Sequence, residues 1–159
     1  SKKNTVVQKP KIFKSKENLW HIRIRPDGDE SVYPYNLLYN VKLKEESYSF
    51  YNMKGKKIYR LKQKENGFSL YKNGKAITKV KYEKRKKKVK VYKAQGTKLK
   101  IYYRFKYKKG SIRRYSGTSS SYTIVGGHNL LSVAISYIPG VEKDIKEFII
   151  LEKESIFSN

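Results

Sequence analysis

The chain has 159 residues, enough for one domain with a buried core, and carries a formal net charge of +25. It has no cysteine, which excludes a disulfide-stapled scaffold, a thiol nucleophile and any zinc site built on Cys. Leu, Ile, Val and Phe form about a quarter of it, above the level at which high charge leaves a chain disordered, and no apolar run is long enough to span a bilayer.

In chain order, residues 1–18 read as a flexible basic arm and residues 19–157 as a single β-rich domain. Leu19 to Arg25 alternates as a strand and stops at Pro26-Asp27-Gly28, and residues 32–43 hold a further strand pair bearing Tyr33, Tyr35 and Tyr39. The chain then repeats itself. Residues 49–62, 68–81 and 89–101 each read as an alternating strand, a short polar turn with Gly55, Gly74 or Gly96, and a second alternating strand. Their tyrosines, Tyr51, Tyr71 and Tyr92, recur 20 and then 21 residues apart. A fourth hairpin turns at Lys109-Gly110. The expected architecture is mainly β: an antiparallel meander of hairpins closing into a barrel-like sheet, with an apolar helix near the C-terminus.

Side chains alternate faces along a strand, so Leu99, Ile101, Tyr103, Phe105 and Tyr107 are expected inward. Lys98, Lys100, Tyr102, Arg104, Lys106 and Lys108 are then expected outward. Val89 and Val91 likewise oppose Lys86, Lys88 and Lys90. Among the aromatics of the basic block, Tyr82 and Tyr102 are expected on the outer side. The charge is concentrated: residues 54–114 hold 25 basic groups and only Glu65 and Glu83 against them, whereas residues 115–159 hold three lysines and five acids. Such a block repels itself and invites an anionic partner. The candidate anion-binding residues are Lys79 and Lys81, the run Lys84, Arg85, Lys86, Lys87 and Lys88, then Lys90, Arg104, Lys106, Arg113 and Arg114. The three arginines are candidates for a bidentate fork on a headgroup phosphate.

Residues 116–121, Ser-Gly-Thr-Ser-Ser-Ser, read as a flexible loop, followed by a short strand over Tyr122 to Val125. Residues 129–138 suit a buried helix, with a buried strand as the competing reading. Residues 141–157 suit either an amphipathic helix or, at Phe148-Ile149-Ile150-Leu151, a closing strand. Either segment is a candidate for the buried helix.

The alternating strands to Tyr107, the turns in which Gly-Lys follows Tyr51 and Tyr71 (Gly55-Lys56 and Gly74-Lys75), and the apolar segment from Gly127 to Ile138 form a further pattern. Over residues 35–157 it resembles the tubby C-terminal, LURP-one-related and phospholipid-scramblase superfamily. The resemblance implies a closed β-barrel threaded by an apolar helix and, as in tubby proteins, phosphoinositide headgroup binding by surface Lys and Arg. The chain length leaves room for about eight to ten strands. A looser likeness is to bacterial hairpin-repeat proteins of the MORN type.

Catalytic patterns are lacking. No phosphate loop occurs, Gly126-Gly127 reads as a turn, and His21 and His128 lie far apart. Asp27, Asp29 and Glu30 lack the spacing of a calcium loop, and Glu45-Glu46 would point to opposite faces of a strand. No cofactor or metal is expected. The expected function is a non-enzymatic module docking a cationic sheet face on anionic phospholipid headgroups, with Tyr82 and Tyr102 at headgroup level. The alternatives are a nucleic-acid-binding β-domain and an exported scaffold gripping an acidic polymer. The expected location is the cytoplasm or a membrane periphery, and a signal ahead of Ser1 would make it an exported protein.

Overall fold

The computed structural model describes residues 11–24 and 36–158. Eleven strands form one antiparallel sheet in the order of the chain. They are β1 (Lys11–Lys16), β2 (Leu19–Ile24), β3 (Asn36–Lys44), β4 (Ser47–Tyr51), β5 (Lys57–Lys64) and β6 (Gly67–Lys72), then β7 (Lys75–Glu83), β8 (Lys88–Gln95), β9 (Lys98–Lys108), β10 (Ser111–Ser116) and β11 (Tyr122–Val125). Two helices follow, α1 (Leu130–Ser136) and α2 (Lys143–Lys153), and a 3-10 turn spans Glu154–Phe157. Part of the expected basic arm is thus strand β1, paired with β2. Residues 1–10, the Pro26-Asp27-Gly28 turn, Tyr33, Tyr35 and the Asp29-Glu30 pair lie outside the described residues.

The repeat is a repeat of hairpins: β4–β5, β6–β7 and β8–β9, with β9–β10 as the fourth. At the tightest turn, Asn73 (φ 49°) and Gly74 (φ 82°) both take the left-handed backbone that a two-residue hairpin turn needs, and Asn and Gly are the residues that tolerate it. Each unit also carries a bulge at the same place. The register slips between Phe50 and Tyr51, between Leu70 and Tyr71 and between Val91 and Tyr92, which leaves Ile58, Ile77 and Tyr102 as the extra residues on the partner strands. Bulges of this kind bend a strand and raise its twist.

One face of the sheet is apolar and covered. Trp20, Ile22, Val41, Phe50, Tyr59, Leu61, Phe68, Leu70, Val80, Val89, Val91 and Phe105 are all buried there. α1 buries Leu130, Leu131, Ala134 and Ile135, and α2 buries Ile145, Phe148, Ile149 and Lys153. Phe148 stands edge-on to Trp20, Tyr48 and Phe50 at ring separations of 5.5, 5.7 and 5.4 Å, pinning α2 to β2 and β4. Tyr137 packs on Tyr103 and Phe105 of β9. Polar contacts complete the attachment. Tyr39 Oη donates to Glu142 Oε2 at 2.5 Å, Tyr48 Oη donates to Glu152 Oε1 at 2.7 Å, and Lys153 Nζ donates to Gln63 Oε1.

Two expectations are corrected. The sheet does not close into a barrel: β1 pairs only β2 and β11 only β10 among the described residues. The helices cover the apolar face, so closure is not needed to hide it, and β1 carries lysines and a bulge that suit an edge. The C-terminal segments are both helical, so neither is a strand. Neither is a helix buried on all sides: each presents one face to the sheet, and Ser136 and Leu151 are exposed.

Candidate anion-binding face

The other face is open, and the ladder register shows what stands on it. One cross-strand row runs Lys64–Gly67–Lys81–Lys90–Arg104–Tyr115–Tyr122 from β5 to β11. The next runs Lys62–Ser69–Lys79–Tyr92–Ile101, and beyond it on the other side lies Glu83–Lys88–Lys106–Arg113–Ile124. Glu83 is the only acidic residue in the strands among the described residues. Neighbouring strands lie about 4.8 Å apart, so these rows merge into one cationic surface. Most of its lysines and arginines are half-buried, as long side chains laid along a crowded sheet face are.

Seven of the candidate residues stand together on this face: Lys79, Lys81, Lys88, Lys90, Arg104, Lys106 and Arg113. Lys84, Arg85, Lys86 and Lys87 form the exposed turn between β7 and β8, next to the Lys88 row. Two of them have partners within the chain: Lys86 Nζ lies 3.4 Å from Glu83 Oε2, and Lys87 Nζ lies 5.5 Å from the ring centre of Tyr107.

The expected arginine fork is not assembled. Arg104 Nε donates to Gly117 O at 2.6 Å and its Nη2 donates to Ser119 O, so this guanidinium ties down the serine-rich loop. Arg114 pairs with Phe105 and stacks over Tyr103 and Tyr137, which places it on the covered face. Of the three, Arg113 stays on the open face with its Nε buried and unpaired among the described residues, 4.1 Å from the ring centre of Tyr122. Two shallow recesses of about 270 and 250 Å³ meet at Asn66 and Lys81, and no arginine lines either. Gly67 belongs to the second: a Cβ there would sit 2.1 Å from Val80 O, so the row has bare backbone at that point.

The aromatic side chains are placed differently from expectation. Tyr82 faces the covered side, 5.8 Å from Phe157, and burial raises its phenol above the usual range. Tyr102 is the bulge residue beside Tyr103. That bulge also reverses the alternation on β9: Tyr103 and Phe105 face the core, while Ile101 stands opposite Tyr92 on the open face, and Leu99 shares that side. The open face instead carries Tyr51, Tyr71, Tyr92, Tyr115 and Tyr122. Each has a cation over its ring: Lys42 and Lys57 for Tyr51, Arg60 for Tyr71, Lys79 for Tyr92, Arg104 for Tyr115 and Arg113 for Tyr122. A usable sign was present, since Tyr51, Tyr71 and Tyr92 directly follow the core residues Phe50, Leu70 and Val91, and adjacent strand residues point to opposite faces.

His21 Nδ1 donates to Asn40 Oδ1 at 2.5 Å, its Nε2 lies 2.9 Å from Ser15 Oγ, and His128 is exposed. Among the described residues no three His, Cys, Asp or Glu side chains are placed to hold a metal ion, and no helix is long and apolar enough to cross a membrane.

No family model matches the chain, and no curated protein matches it. Among solved structures, an X-ray structure of a protein from Arabidopsis thaliana is similar at 17% identity and a TM-score of 0.43, covering 72% of this chain and 68% of that chain. A likeness at this level assigns neither a family nor an activity.

Proposed function

We propose that the protein is a non-enzymatic binding module that docks the open face of its sheet on anionic phospholipid headgroups, as a peripheral protein of a membrane surface. The observation that carries this reading is the sorting of charge. Among the described residues the strands hold a single acid and the hairpin turns four (Glu17, Glu45, Glu46 and Glu65), while Glu142 caps α2, Asp144, Glu147 and Glu152 lie on it, and Glu154 begins the turn after it. A molecule so polarised is oriented by a negative surface before contact. Basic clusters of four to eight residues suffice for such docking, at about 1 kcal/mol per Lys or Arg near the surface.

A second reading, a surface for single-stranded nucleic acid, gains from the five tyrosines on the same face, because bases stack on aromatic rings set in a basic field. Vesicle flotation with phosphatidylserine or phosphoinositide, run beside a gel shift with single-stranded DNA at about 0.15 M salt, separates the two. Flotation with acidic but not zwitterionic vesicles supports membrane docking. A gel shift without flotation transfers the face to nucleic acid.

A further inference from the structure

The tyrosines of the open face are not scattered. Following the register, Ser49 of β4 lies opposite Arg60 and then Tyr71, and Tyr51 is two residues further along β4. Ser69 of β6 lies opposite Lys79 and then Tyr92, and Tyr71 is again two residues further. Lys90 of β8 lies opposite Arg104 and then Tyr115, with Tyr92 two residues on. The offset per hairpin is therefore constant: two strands sideways and one same-face position along. Two strand spacings and one such step place successive tyrosines about 12 Å apart on a straight diagonal. This is the structural meaning of the 20- and 21-residue tyrosine period in the sequence.

Every step of the diagonal also brings a cation. Arg60 faces Tyr71, Lys79 faces Tyr92 and Arg104 faces Tyr115 in direct register, at 5.6, 4.4 and 4.9 Å from the ring centres. The ring limits the sweep of its cation, so charge stands at a regular interval instead of collapsing onto a neighbour. By contrast, the elements of a single headgroup pocket are dispersed. Arg104 holds a loop, Arg114 is on the far face, and the two recesses contain no guanidinium.

We propose that the open face recognises an anionic phospholipid membrane as a field of charge, through this diagonal of cation–tyrosine pairs repeated once per hairpin, and not through a pocket for one headgroup. The inference rests on the membrane reading above and specifies its ligand class: a fluid surface of many singly or doubly charged lipids, each pair meeting whichever acidic lipid lies beneath it. The energy of docking is then spread over the hairpins, and affinity follows surface charge density.

The experiment is vesicle co-sedimentation with the full chain. Phosphatidylserine content is raised stepwise in phosphatidylcholine vesicles, and a parallel series contains phosphatidylinositol bisphosphate at matched total charge. Binding is expected to rise steeply with acidic lipid, to agree within about twofold between charge-matched series, and to resist soluble inositol hexakisphosphate at concentrations matched in charge to the lipid. Arg60→Gln and Lys79→Gln, each removing one cation of the diagonal, are each expected to weaken binding about fivefold, with effects that multiply when combined. A preference above tenfold for one headgroup at matched charge, displacement by the soluble phosphate, or abolition of binding by one folded single variant overturns the charge-field inference while leaving membrane docking intact. Absence of binding to every acidic vesicle overturns the membrane reading itself, and with it this inference.

Discussion

Lys81 and Lys90 face each other across β7 and β8, and Arg104 continues the same row on β9. Three like charges on adjacent strands repel, at roughly 0.2–1 kcal/mol for each directly opposed pair. Replacing Lys81 and Lys90 with Gln removes both contacts, so the free protein should gain about 1 kcal/mol, a rise in Tm of about 2–4 °C at this chain length. The same change removes two cations from the docking face, each worth about 1 kcal/mol at an acidic membrane, so vesicle binding should weaken about 30-fold. Stability and binding thus move in opposite directions, which a merely structural role for these lysines would not produce. Thermal melts in low salt and in about 0.5 M salt give the first quantity, and the gain should shrink at high salt because these charges are screened. Co-sedimentation with phosphatidylserine vesicles gives the second. A fall in Tm would mean that these charges do not repel in the free protein, and unchanged vesicle binding would mean that they do not meet the membrane.

Three further outcomes follow from the packing. Phe148→Ala removes the ring on which Trp20, Tyr48 and Phe50 converge and should cost about 3–5 kcal/mol in denaturant melts; a loss under about 1 kcal/mol would mean that α2 is not anchored there. Arg104→Lys keeps the charge but loses the planar fork that holds Gly117 O and Ser119 O, so proteolysis within residues 117–121 should quicken while the melting temperature changes little. Burial first, and the hydrogen bond to Glu142 or Glu152 second, push the Tyr39 and Tyr48 phenols well above their usual range. The unfolded chain ionises these phenols near pH 10 and the folded chain does not, so their contribution is fully present below about pH 10 and lost as pH rises above it. Stability measured from pH 9 to 11.5 should fall more steeply in the native chain than in the Tyr39→Phe/Tyr48→Phe variant, and equal slopes would contradict the assignment.

The hairpins were legible because two independent signs agree in them: alternation of apolar and basic residues, and Gly or Asn-Gly where a tight turn requires left-handed backbone. The sorting of lysines away from Val89, Val91 and Phe105 was legible for the same reason. What alternation does not reveal is where it slips. Tyr102 looks like any other even-numbered residue of β9, yet as a bulge it turns Leu99 and Ile101 to the open face. Its counterparts Ile58 and Ile77 are equally silent in sequence, since a bulge is a property of the pairing between two strands. Closure was illegible for a related reason: whether β11 meets β1 depends on accumulated twist and on the helices over the apolar face. Half of the arginine fork's failure was legible, because Arg113 and Arg114 are neighbours on a strand and so point to opposite faces, whereas the capture of Arg104 by a loop thirteen residues later leaves no sign in the sequence.

The proposed docking sets the open face of the sheet, and not the helical side, against the negative partner. Lysine acylation read by mass spectrometry, with and without phosphatidylserine vesicles, tests it at residue level. Lys62, Lys79, Lys81, Lys90 and Lys106 should be protected by the vesicles, while Lys143 on α2 should react at the same rate in both conditions. Protection of Lys143 with continued reactivity of Lys79, Lys81 and Lys90 would contradict the account.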